Sequence, residues 1–238
     1  MTKILITRPQ PDADALAALL REKNFEPVVD PLFTCVFSTT PPQAKNYQAV
    51  LATSRNALRA LASLGIAATY LTLPLFAVGA ETEKEALKCG FTQTHAAEHS
   101  ASSLASLVMQ YCQPDAGPLL YLTGTPHKAE LETALREAGY QIEAWEGYDM
   151  QPAAAFQNET MRALLGEEIE TVLLFSERAS GHFLKLTRHL PAQTLRNINF
   201  FCLSEQVAAP LLQKGLNAHI ADKAVLHALL DGLDDKNH

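Results

Sequence analysis

Short apolar runs alternate along the chain with stretches in which apolar positions recur every three or four residues. Ile4, Leu5 and Ile6 form the first run. From residue 12 to 23 the period changes. Ala15, Leu16, Leu19 and Leu20 fall on one face at helical spacing, with Asp12 placed to cap the start and Asn24 to stop it. Further strand-like runs lie at 49–52, 75–78, 119–122, 171–175, 200–203 and 218–221, and nearly all lead into a helical pattern. Apolar runs of this length, each followed by a helix, predict parallel strands buried on both sides under layers of helices.

The pattern repeats itself. Ile4-Leu5-Ile6-Thr7-Arg8 aligns with Leu120-Tyr121-Leu122-Thr123-Gly124, and residues 20–25 align with 135–140. Thr53-Ser54-Arg55-Asn56-Ala57 aligns with Phe175-Ser176-Glu177-Arg178-Ala179, residues 78–82 with 203–207, and Glu98 with Asp222. The order is kept and the offset drifts slowly, so the chain reads as two copies of one unit of about 115–120 residues. Two segments, 27–38 and 142–151, are long, extended and apolar with no helix directly after them. They read as paired crossing strands between two domains. One domain then takes residues 1–34 plus 152–238, an inserted domain takes 39–145, and 35–38 with 146–151 form the linker.

Composition narrows the function classes. With 238 residues, 47% hydrophobic and 19% charged, the chain has the make-up of a globular protein. Its net charge of −7 and 7% aromatic content argue against a nucleic-acid partner, which needs a basic face or stacking platforms. No apolar run reaches the 18 residues of a membrane span, and the opening apolar run is too short for a signal peptide, so the expected compartment is the cytoplasm. Cys35, Cys89, Cys112 and Cys202 form no C-x-x-C pair and read as reduced, mostly buried thiols.

In open parallel sheets, ligands bind beyond the carboxyl ends of the strands. Those positions carry Thr7-Arg8, Thr53-Ser54-Arg55-Asn56, Gly79-Ala80-Glu81-Thr82, Thr123-Gly124-Thr125, Ser176-Glu177-Arg178 and Ser204-Glu205-Gln206. Each reads as a hydroxyl or glycine turn opening a helix, where free N–H groups favour carboxylates or phosphates. Any one of them also reads as a plain helix cap. Arg8 and Arg178, at matching turns, are guanidinium candidates for a carboxylate or members of structural ion pairs. Lys128 and Arg55 are weaker candidates. The chain has no G-x-G-x-x-G, no phosphate loop and no G-x-S-x-G elbow. His95 and His99 stand four apart, but in a loop-like run without a neighbouring Cys, so no metal site is expected. Binding groups are plentiful, and no nucleophile or metal centre stands out.

Taken in order, Ile-Thr-Arg-Pro at 6–9, Thr-Ser-x-Asn-Ala at 53–57 and Val-Gly-x-x-Thr at 78–82 carry a resemblance. Tyr-Leu-x-Gly at 121–124, Glu-x-Tyr at 146–148, Phe-Ser-x-x-Ala at 175–179 and Cys-Leu-Ser at 202–204 extend it over almost the whole chain. The sequence resembles the uroporphyrinogen-III synthase family of tetrapyrrole and heme biosynthesis. The resemblance implies two flavodoxin-like α/β domains of similar topology, joined by a two-stranded β linker, with the active site in the cleft between them. It implies a lyase that cyclises hydroxymethylbilane to uroporphyrinogen III, with loss of water and inversion of ring D through a spiro intermediate. By motif match, Tyr148 is the catalytic candidate, assisting loss of the bilane hydroxyl. The substrate-binding candidates are Arg8, Thr7, Ser54, Asn56, Thr82, Thr123, Gly124, Lys128, Ser176, Arg178 and Ser204. No cofactor and no metal are implied. The partners implied are the bilane, a transient hand-over from hydroxymethylbilane synthase, and no second subunit. Glu177 and Val207 depart from the family's pattern, which has Ser-Pro-Ser-Ala in the first turn and often Thr at the second position. The rival reading is a non-catalytic two-domain protein that binds a tetrapyrrole or another anionic small molecule.

Overall fold

The computed structural model describes residues 2–98 and 100–221; His99, Asp222 and the rest of the segment 222–238 lie outside the described residues. In chain order the elements are β1 (Lys3–Ile6), α1 (Asp12–Glu22), β2 (Glu26–Val29), β3 (Phe33–Phe37), β4 (Ala49–Ala52), α2 (Arg55–Ser63), β5 (Leu75–Val78) and α3 (Ala80–Lys88). They continue with β6 (Thr94–Ala97), α4 (Ala101–Tyr111), β7 (Leu119–Thr125), α5 (Glu130–Glu137), β8 (Ile142–Pro152), α6 (Asn158–Leu165) and β9 (Ile169–Leu174). The last are α7 (Glu177–Leu186), α8 (Ala192–Arg196), β10 (Asn199–Cys202), α9 (Glu205–Leu212) and β11 (Ala218–Ile220).

The chain divides into two compact units, one of Met1–Thr34 with Gln151–His238 and one of Cys35–Met150. The first is built on a five-stranded sheet in the order β11-β10-β9-β1-β2. Its neighbouring strands are parallel throughout. Ile4 and Ile6 point to the side covered by α1, where they pack with Leu16, Leu20 and Phe25. The second unit is built on a six-stranded sheet in the order β3-β8-β7-β4-β5-β6. The pairs from β8 to β6 are parallel. One face buries Val50, Ala52, Leu120, Leu122 and Trp145 against α2 and α3, and the other buries Leu51, Phe76, Leu119 and Tyr121 against α4 and α5. Burial on both faces is why these strands are continuous apolar runs.

The strands that the internal repeat equates take equivalent places. β1, β2, β9, β10 and β11 correspond to β7, β8, β4, β5 and β6, so the order β2-β1-β9-β10-β11 of one sheet is matched by β8-β7-β4-β5-β6 of the other. In the first unit this is the doubly wound order 2-1-3-4-5 in chain sequence. The second unit has the same layout with its chain order permuted.

Three local expectations are corrected. The segment 27–38 is not one crossing strand: residues 26–29 form β2 beside β1, the chain breaks at Asp30 to Leu32, and only β3 lies beside β8. His95 lies not in a loop but in β6, the short edge strand beside β5, which carries too few apolar residues to announce itself. Thr123, Gly124 and Thr125 do not open a helix. They extend β7, because the long β8 offers them partners at Glu146, Tyr148 and Asp149.

Candidate functional site

In the second unit, the carboxyl ends of β4 and β7 meet the C-terminal half of β8. Ser54 ends the β4 turn in an extended conformation and caps α2, its Oγ accepting from Asn56 N–H at 3.2 Å. This is the N-cap arrangement that a Ser before a helix supplies. Gly79 plays the matching part before α3, at φ 77°, a conformation that suits glycine. Thr82 is buried in the first turn behind it.

Tyr148 owes its direction to a break in register. β7 and β8 pair Leu122 with Trp145 and Thr123 with Glu146, then Gly124 with Tyr148, so Gly147 is an extra residue in β8. Side chains alternate along a strand, so an unbroken register would turn Tyr148 to the face opposite Trp145. The bulge returns it to that face, where it packs with the cluster of Leu120, Leu122 and Trp145. Glycine is required twice here. A Cβ on Gly124 would lie under 3.0 Å from the Tyr148 ring, and a Cβ on Gly147 would run into the Trp145 ring. The Trp145 indole is anchored by its N–H donating to Thr40 O at 2.9 Å.

Burial pushes the Tyr148 phenol above the usual tyrosine value of 10. A hydrogen bond with the Ser54 side chain pulls the other way, and the Cys35 thiol and Tyr121 phenol push it up a little further. The group is therefore a neutral hydrogen-bond donor at physiological pH. Cys35 is pushed up to about 11, chiefly by burial, with Arg59 opposing and Asp149 assisting. Asn56 does not stand alone. Its Oδ1 accepts from Arg59 Nη1 at 3.1 Å, and Arg59 forks onto both carboxylate oxygens of Glu85 at 3.1 and 3.0 Å. A second hydroxyl pair, Thr53 with Tyr121 at 3.1 Å, adjoins this group.

In the first unit, the Arg8 guanidinium donates to Asp12 at 3.1 Å and lies 4.6 Å over the Phe175 ring. Ser176 caps α7 by accepting from Ala179 N–H at 3.2 Å, whereas Ser204 precedes α9 without a side-chain cap bond. Arg178 lies 4.5 Å over the Phe33 ring. Glu177, the acidic departure, accepts from Gln206 at 2.9 Å. Val207, the other departure, is buried, 5% exposed.

Not every expected residue presents its side chain. Thr7 is buried and donates to Leu173 O at 2.7 Å, tying β1 to β9. Thr123 is equally buried. Gly124 contributes a seat for Tyr148 rather than a group of its own. Lys128 is 83% exposed, 3.9 Å from Glu130. Sequence reading quoted Tyr121 only as part of a motif, without placing it at the site, and missed Arg59, Glu85 and the Gly147 bulge; a lone glycine inside a strand pattern was the one local sign of the bulge. A groove of about 650 Å³ lies on the second unit among Pro41, Lys45, Tyr47, Arg136, Glu143 and Trp145, and holds none of the expected site residues. Among the described residues, no cluster of His, Cys, Asp and Glu could hold a metal ion.

The sequence matches the family model described as uroporphyrinogen-III synthase HemD over residues 14–231. No curated protein matches it. Among solved structures, uroporphyrinogen-III synthetase from Helicobacter pylori is similar at a TM-score of 0.66 and 16% identity, over 99% of this chain and 100% of that one. A mutant uroporphyrinogen III synthase from Thermus thermophilus is similar at 0.58 and 17% identity, over 99% and 98%. At such identities the structural likeness shows the fold.

Proposed function

The chain belongs to the uroporphyrinogen-III synthase family, and from that premise we propose that it cyclises hydroxymethylbilane to uroporphyrinogen III, a lyase step of heme biosynthesis. The observation that carries this reading is the placement of Tyr148, a neutral phenol that a bulge turns onto the Trp145 face at the ends of β4 and β7. The reaction needs a donor and a mould more than it needs a nucleophile. Tyr148 gives its proton to the bilane hydroxyl as the C–O bond breaks with its electron pair on oxygen. Water leaves, and the substrate becomes an azafulvenium cation. The substituted carbon of ring D attacks it to form the spiro intermediate. The bond from that carbon to the methylene of ring C then breaks, leaving an azafulvenium on ring C. The free α-carbon of the inverted ring D attacks that methylene and loses the proton that restores the phenol. Proton donation of this kind contributes about 10²–10⁴-fold. The remainder comes from holding one geometry, since the free bilane closes to the symmetric type I isomer.

Eight carboxylates must be held. The N–H groups at the starts of α2, α3, α7 and α9 suit them, with the side chains of Ser176, Ser204, Arg8, Arg178 and Lys128 as further donors. Main-chain donors are what allow a chain of net charge −7 to take an anionic substrate. The same reading has the protein act as a monomer in the cytoplasm, receiving the bilane by transient hand-over from hydroxymethylbilane synthase. The test is a coupled assay in which that enzyme generates the bilane in situ and the products are oxidised and separated. A predominance of type III isomer supports the reading. Type I alone, from folded protein, overturns it and leaves a non-catalytic tetrapyrrole-binding protein.

A further inference from the structure

We propose that Ser54 is a positioning residue for Tyr148: its hydroxyl donates to the phenol oxygen, so that the phenol's own proton is the one offered to the ligand. The inference rests on the synthase reading above. Ser54 Oγ already accepts the Asn56 N–H at 3.2 Å, and the hydroxyl has one proton to give. Its other side-chain partner is Tyr148. The tyrosine ring lies on Gly124, so close that a Cβ there would overlap it, and this fixes the direction of the phenol oxygen. A phenol that accepts one hydrogen bond donates a stronger one. As its proton leaves, the negative charge growing on the oxygen meets the Ser54 O–H and the positive end of α2. The other titratable groups acting on this oxygen are the Cys35 thiol on β3 and the Tyr121 phenol on β7, and both oppose that charge. Ser54 is the partner that favours it.

A cap alone predicts a loss of stability on removing Ser54, and nothing more. The test therefore reads the phenol directly, without substrate. Protein labelled with 3-fluorotyrosine, which titrates in a milder range, is followed by fluorine NMR, with the Tyr148 resonance assigned by its loss in Tyr148→Phe. In Ser54→Ala the Tyr148 midpoint rises by about one pH unit, and Ser54→Thr brings it back. Ser54→Gly keeps most of the capping preference while removing the hydroxyl, and shows the same rise should Ser54→Ala fold poorly. In the isomer assay, both hydroxyl-free variants lower kcat for type III about tenfold with KM within about twofold. In a Tyr148→Phe background they cost nothing more. An unmoved midpoint, or an equal rate loss in both backgrounds, overturns the assignment. The titration reads the pairing even if the protein forms no type III isomer, so failure of this inference and failure of the synthase reading are told apart.

Discussion

At the scale of single residues, the proposed chemistry turns on Tyr148 and its two glycines. Gly124→Ala places a methyl group inside the space of the Tyr148 ring. Overpacking of this kind costs roughly 1–3 kcal/mol, read as a lower urea midpoint, and displacement of the phenol lowers type III turnover at least about tenfold. Recovery of full activity by Gly124→Ala would show that the seat does not matter. The pH profile follows from the same burial. Because the phenol is held above its usual value of 10, the donor form persists through the neutral and mildly alkaline range. The alkaline limb assigned to Tyr148 therefore lies above about pH 10. Little of this was legible locally. Tyr148 was visible through Glu-x-Tyr and a family resemblance, but the ring over Gly124 comes from a different strand, so no motif around 121–124 names it.

At the scale of elements, the Ser-led turns were the most legible part of the site, since a Ser before a helical run reads as a cap in any sequence. They are not equivalent, however. Ser176 holds an N–H of α7, and Ser204 holds none in α9. Ser176→Ala is expected to cost about 1 kcal/mol in urea unfolding, and Ser204→Ala a few tenths at most. A rise in KM for Ser204→Ala without a stability loss is the signature of a hydroxyl kept for the ligand; equal stability losses would contradict this difference. The elements that the sequence hid are those fixed by pairing rather than by pattern. β6 and the end of β7 are strands because β5 and β8 lie beside them, and the split of 27–38 into β2 and β3 reflects two different sheets claiming its halves.

At the scale of the molecule, the internal repeat proved the strongest reading of the chain. The equated strands occupy equivalent places in two sheets, although one copy is permuted. Strand and helix periods carry that information along the whole length, whereas a bulge or a ring seat depends on a few atoms from distant segments. The composition of the cores makes a further prediction. Burial raises Cys202 from 9 to about 12 and Cys35 from 9 to about 11. The unfolded thiols ionise near 9 while the folded ones keep their protons, so above that value the unfolded chain binds fewer protons and gains. Stability is thus fully present below about pH 9 and falls as pH rises towards 11 or 12, by up to about 1.4 kcal/mol per pH unit for the fully buried Cys202. Urea midpoints taken across this range check the slope, and Cys202→Ala flattens it. A midpoint that holds steady to pH 11 would contradict the assignment.

On the proposed reading, one phenol, turned by a bulge and seated on a glycine, directs ring closure. The most direct test of this claim compares the wild-type protein with Tyr148→Phe in the coupled isomer assay under single-turnover conditions, with urea unfolding as a control for the fold. The expected result is a predominance of type III isomer from the wild type, and a rate at least about 10²-fold lower from the variant at an unchanged urea midpoint. Equal type III rates from the two proteins would contradict the claim.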